Sequence, residues 1–188
     1  MDIALVGWLA LTGGWLAAAV IAESLPSAGS PAALRRRVGW LTAFVLAGLG
    51  GIAGLIGGGA ASAQVLLVAV PAAAVAVVTL PRLRRLYGGS AAFVTAPAAP
   101  SPPGLLARAA HPLVALPVQV TAVALVPVAA RYFGGVPGVG VVADGLGVVA
   151  DGLVLTVAVI LLVAVGVRHA LRHSALAEHA VVGRLPRS

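Results

Sequence analysis

The side chains with chemistry to offer are few, and histidines head them. His169 and His173 lie one helical turn apart, a spacing that presents two imidazoles to one metal ion. His111 immediately precedes the apolar run Pro112–Ala130, at a depth comparable to that pair if the runs cross a membrane. Together they can form an imidazole site for a metal, or His111 with His169 or His173 can supply the axial pair of a haem. The segment Arg168-His169-Ala170-Leu171-Arg172-His173 fits a second reading. It is a basic helix lying at an acidic lipid surface, with Arg and His favourable at a helix C-terminus. Catalytic zinc typically takes a third protein ligand, and Glu178 and His179 do not share the 169/173 face. The basic helix is therefore preferred, and no cofactor is expected.

Two further groups are weighed in the same way. The heptapeptide GVVADGL fills 140–146 and recurs over 147–153, which places Asp144 and Asp151 on one face if the segment is helical. Two carboxylates fall short of a calcium ligand set. A carboxylate near a helix N-terminus is stabilised there in any case, so a plain duplication is preferred to a cation site. Pro71 interrupts one apolar run, and Pro117 and Pro127 interrupt another that also holds Gln119 and Thr121. Kinked helices near mid-membrane are where transporters place substrates, so Pro71, Pro117, Gln119 and Thr121 outline a possible transport path. Membrane helices also tolerate proline without such a role. Gln119 is expected to bond a neighbouring backbone or Thr rather than a substrate.

The absences exclude more than the residues include. There is no cysteine, hence no disulfide, thiolate metal site or thiol chemistry. No Gly-rich phosphate loop opens a soluble helix. No ionisable residue lies at the centre of an apolar run, which argues against proton-coupled transport and intramembrane proteolysis.

The elements that must position these groups are membrane helices. The chain is 61% hydrophobic and 9% charged, against about 25% charged in a soluble domain. All twelve basic residues are Arg, in a composition rich in Ala, Gly, Val and Pro that fits a GC-rich bacterial genome. A crossing needs ~20 apolar residues. The uncharged stretch Val38–Leu80 would be roughly 65 Å long as one helix, too long for one crossing. The run Gly57-Gly58-Gly59-Ala60-Ala61-Ser62 is expected to break it into a hairpin. The fold expected is all-α: a polytopic helical membrane protein with five transmembrane helices over about 3–22, 38–58, 61–80, 112–130 and 148–167. Residues 1–167 form this bundle, with a Pro/Ala-rich linker over 88–110 and a basic cytoplasmic tail over 168–188. Met1-Asp2 lacks the positive charge of a signal peptide, so the first span is expected to be retained.

With five crossings, every arginine except Arg131 falls on one side. The positive-inside rule then gives N-terminus out and C-terminus in, in a bacterial plasma membrane. Arg35, Arg36, Arg37, Arg82, Arg84 and Arg85 are expected at anionic lipid headgroups, and lipid rather than nucleic acid is the partner for the net charge of +7. Trp40 and Tyr87 would lie at the inner interface, and Tyr132 and Phe133 at the outer one. Trp15 falls mid-span, filling a gap between helices or facing lipid.

In lipid, helices associate through close backbone approach and interhelical hydrogen bonds. Gly50, Gly54 and Gly58 recur at four-residue spacing, facing a candidate partner stripe of Ala10, Gly14, Ala18 and Ala22. Packing between the first two spans is preferred to self-association. These features point to a non-enzymatic accessory or assembly subunit of a membrane complex, working with other membrane subunits or with itself. A small transporter or substrate-capture subunit is the alternative, and a haem- or metal-binding membrane protein the next.

Overall fold

The structure is a computed structural model. It describes residues 3–59, 63–93, 95, 96, 98–133 and 143–182, with side chains described chiefly over 5–59, 65–93, 98–125 and 160–181. All secondary structure among these residues is helical: α1 (Ile3–Ser24), a 3₁₀ turn (Leu25–Ser27), α2 (Pro31–Gly57), α3 (Ala63–Ala91), α4 (Pro103–Ala109), α5 (Pro112–Phe133) and α6 (Ala143–Val182). Three stretches, Leu5–Ser27, Pro31–Gly57 and Pro103–Leu125, are long and apolar enough to cross a membrane.

The helices overrun the apolar stretches, because arginine forms helix well and backbone bonding continues beyond the hydrocarbon-compatible sequence. Ser30 caps α2, its Oγ accepting from the Ala33 N–H at 3.2 Å, with Pro31 in the first turn. Arg35, Arg36 and Arg37 are thus helical. So are Arg82, Arg84 and Arg85, since α3 continues through Pro81. The basic stretch from 168 continues α6 to Val182. The expected linker over 88–110 is also partly ordered. It holds the end of α3, a Phe93 packed on the core, and the short helix α4 with Leu105, Ala107 and Ala109 buried. Leucines within an Ala/Pro-rich composition give α4 a face to bury. The Ser101 N–H bonds the Gly29 carbonyl at 3.2 Å, tying this segment to the α1–α2 connection.

α2 stops where the glycine run begins. The Gly58 N–H closes on the Gly54 carbonyl at 2.9 Å, and Gly59 takes φ +79°, a conformation open chiefly to glycine. Beyond it, α1, α2, α3 and α5 form a ring of neighbours: α1 packs on α2 and α5, and α3 packs on the same two. α6 lies outside this ring, against α5 and α4.

The tightest seam is between α1 and α2. An added Cβ at Gly14 would meet the Phe44 carbonyl at 3.1 Å, and one at Gly51 would meet the Gly7 carbonyl and the Leu11 nitrogen, each at 2.9 Å. Trp15 is wholly buried and occupies the space that Gly48 leaves, where a Cβ would stand 2.7 Å from its Nε1. Ala18 and Ala22 are buried in the core, while Ala10 is partly exposed. The α2 stripe in this seam differs from the expected one. Gly50, Gly54 and Gly58 are exposed, and a Cβ at Gly50 or Gly54 meets nothing within 4 Å. The reason is the larger side chains of α2. Val38, Leu41, Val45, Ile52 and Leu55 share one face with Gly48 and Gly51, and burying them turns Gly50 and Gly54 outward.

Candidate functional site

Polar contacts between helices gather where α1 ends, α2 begins, α3 ends and α5 begins. Glu23 sits in the last turn of α1, beside helix carbonyls whose partial negative charge disfavours a carboxylate. Three side chains from two other helices offset this. Gln119 Nε2 of α5 donates to Glu23 Oε1 at 2.5 Å. His169 Nε2 of α6 lies 2.9 Å from the same oxygen, and the Arg168 guanidinium pairs with Oε2. Arg37 completes the end of α1, bonding the Ser24 carbonyl and, at 3.1 Å, Ser27 Oγ. His169 has no exposed surface, and its Nδ1 faces the Ala110 carbonyl at 3.4 Å. Both of its ring nitrogens therefore face acceptors. The cluster ties α1, α5 and α6 together through one carboxylate.

This arrangement revises the expectation for Gln119, whose amide bonds Glu23 rather than backbone or Thr. Its Oε1 is buried without a partner. Thr121, also buried, bonds the Pro117 carbonyl of its own helix at 3.0 Å. Pro71 and Pro117 are half-buried. The cavities described below are lined by other residues.

Beside the carboxylate cluster lies a cavity of about 400 Å³. Arg82 and Arg85 enter it from one face of α3, Arg108 from α4, His111 from the start of α5 and His173 from α6, with Leu86 and Val114 as its apolar lining. Each histidine is oriented by the backbone. His111 caps α5, its Nδ1 accepting from the Leu113 N–H at 3.1 Å, so the proton of its neutral ring sits on Nε2. His173 Nδ1 lies 2.8 Å from the Ala107 carbonyl and must donate to it. The two rings meet edge to face, with centroids 4.9 Å apart. Of the three candidate metal or haem ligands, His111 and His173 come together, and His169 turns to Glu23. Among the described residues no group of three or more His, Cys, Asp or Glu gathers as for a metal. Three guanidinium groups around one cavity repel a cation and attract an anion.

Arg35 lies 4.4 Å over the Tyr87 ring, while Arg36 and Arg84 are exposed. Trp40 is exposed and stacks on Phe44. A second cavity, about 590 Å³, runs along α6 between Ala164 and Ala175 and is mostly apolar. A third, about 380 Å³, lies between α4 and the end of α6, near His179. The side chains of Asp144, Asp151, Tyr132 and Phe133 lie outside the described residues.

Glu23 is the site residue that sequence reasoning missed. The signal available was its isolation: it and Glu178 are the chain's two glutamates, and Glu23 ends an apolar run among arginines. Comparison with protein families, curated proteins and solved structures finds no match.

Proposed function

We propose that this chain is a non-enzymatic subunit of a larger membrane assembly, held in a bacterial plasma membrane by five crossings, N-terminus out and C-terminus in. The observation that carries the reading is the outer face of α2. Among the described residues, Ala43, Ala47, Gly50 and Gly54 are exposed, and a Cβ at Gly50 or Gly54 would meet nothing within 4 Å. Lipid tails gain nothing from small residues, whereas a neighbouring helix gains close backbone approach. The internal polar groups support the same reading. Glu23, Gln119, Arg168 and His169 engage one another, which is the arrangement of a structural tie. The gathering of alternate helix ends, with their arginines, at one end of the bundle supports the crossings and their direction.

The absence of cysteine makes the test clean. In cells, Ala47→Cys or Gly54→Cys should cross-link to a neighbouring subunit, and gentle-detergent purification should enrich that same partner. Recovery as a lone monomer, with neither cysteine cross-linked, would count decisively against the reading. For orientation, Ala60→Cys should react with an impermeant maleimide from outside the cell and Ser27→Cys should not. The reverse pattern inverts the topology.

A further inference from the structure

We propose that the cavity formed by Arg82, Arg85, Arg108, His111 and His173 is a binding site for a phosphate-bearing anion. Four separate elements converge on it, and its lining holds three guanidinium groups and no carboxylate. Guanidinium forks match phosphate oxygens in geometry as well as charge. Near them, His111 adds an Nε2–H whose direction is set by the bond to Leu113, so a donor is present even on the neutral ring. Glu23 is engaged by Arg168, His169 and Gln119 rather than by the arginines of the cavity. The volume of about 400 Å³ suits a phosphate with its glycerol or sugar substituent rather than a bare ion. The apolar Leu86 and Val114 would meet the carbon portion of such a ligand.

Two sources present this chemistry: the headgroup of an anionic phospholipid and a soluble phosphate ester. The lipid source rests on the membrane topology proposed above, which puts the cavity at the level of the cytoplasmic headgroups. Basic pockets between membrane helices on that side hold anionic headgroups. The soluble source needs only the cavity.

The test uses the full chain in nanodiscs and in mild detergent. Phosphatidylglycerol in a phosphatidylcholine background should be retained on the protein in native mass spectrometry, and should raise its thermal midpoint over phosphatidylcholine alone. In detergent, sn-glycerol 3-phosphate is the soluble probe. Stabilisation by lipid alone assigns a headgroup site, and stabilisation by both probes assigns a phosphate site open to soluble esters. Arg85→Gln with Arg108→Gln should weaken binding by about tenfold or more, as loss of charge-assisted bonds does. Arg84→Gln removes a charge one residue away but outside the cavity, and should change binding by less than about twofold on the same scale. Equal loss in the Arg84 variant would reduce the effect to surface charge and overturn the site. So would indifference of the wild-type chain to both probes, a result that does not depend on any variant folding. Either failure leaves the cross-linking of α2 to a partner untouched, so the two proposals fall separately.

Discussion

The α1–α2 seam and the arginine-rich end of the bundle hold helices together by opposite means. The seam is closed by fit. Its glycines let backbone meet backbone, and one large ring, Trp15, fills the space opposite Gly48. At the other region the helices are joined through side chains, with Glu23 receiving Gln119, Arg168 and His169. The difference follows the medium. In an apolar medium unpaired polar groups are expensive, so close fit is the safer gain for a helix pair. On the proposed topology the arginine-rich end lies near the headgroups, where water and charge are available and a carboxylate can be brought in with its partners. Even so the seam carries a polar cost, since Trp15 Nε1 is buried without a hydrogen-bond partner. Shape there outweighs a lost bond worth about 1 kcal/mol.

The seam should be most sensitive to substitution at Gly51. A methyl group there would press on the Gly7 carbonyl and the Leu11 nitrogen, both backbone atoms that no rotamer change can move. The two helices would have to separate along their whole contact. Gly51→Ala should destabilise by about 3 kcal/mol, at the upper end for overpacking, and Gly51→Leu by more. Thermal unfolding in detergent reads this directly. A neutral Gly51→Ala would mean the seam is looser than its distances imply.

What could be read in advance divides along the same line. Helical class, membrane character, the break after Gly57 and the start of α5 at Pro112 depend on local features such as charge-free length, a glycine run and a first-turn proline. Each was legible. The face of α2 was not. Gly50, Gly54 and Gly58 form as regular a stripe as any that packs, and only the joint burial of Val45, Ile52 and Leu55 selects the Gly48–Gly51 side. The Glu23 cluster was further out of reach, because its partners on α5 and α6 are distant in sequence and only the packed bundle makes them neighbours. His169 and His173 lie one turn apart on α6, yet that turn spans two destinations. One ring goes to Glu23 and the other to His111.

The polar region should yield less per substitution, and unequally. Glu23→Gln turns an amide N–H₂ toward groups that are themselves donors. It should cost about 2 kcal/mol, below the value for a fully buried pair, because Glu23 keeps 26% of its side chain exposed. Gln119→Leu should cost under about 1 kcal/mol, since losing its bond to Glu23 is partly offset by removing the partnerless Oε1. The order Glu23 above Gln119, measured by thermal midpoints of the single variants, is the checkable outcome. Equal losses would show that Gln119 Oε1 has a partner in the native protein, and with it that the cluster is larger than these four side chains.

The smallest effect on stability should come from Gly54→Ala, which sharpens the comparison most. Gly54 lies three residues from Gly51 on the same helix, but a Cβ there meets nothing within 4 Å. Within the chain the substitution removes no contact, and alanine is the better helix former by up to about 1 kcal/mol. Its thermal midpoint should therefore stay level or rise slightly, while Gly51→Ala falls. If the outer face of α2 seats another subunit, the same methyl group holds the two backbones apart, and recovery of the partner should drop several-fold. A variant that is as stable as wild type but loses its partner separates the two small-residue stripes of α2 by role: one closes the chain on itself, and the other is kept open for a neighbour. A fall in midpoint matching that of Gly51→Ala would instead place both stripes inside one tightly packed surface and remove the argument for an exposed docking face.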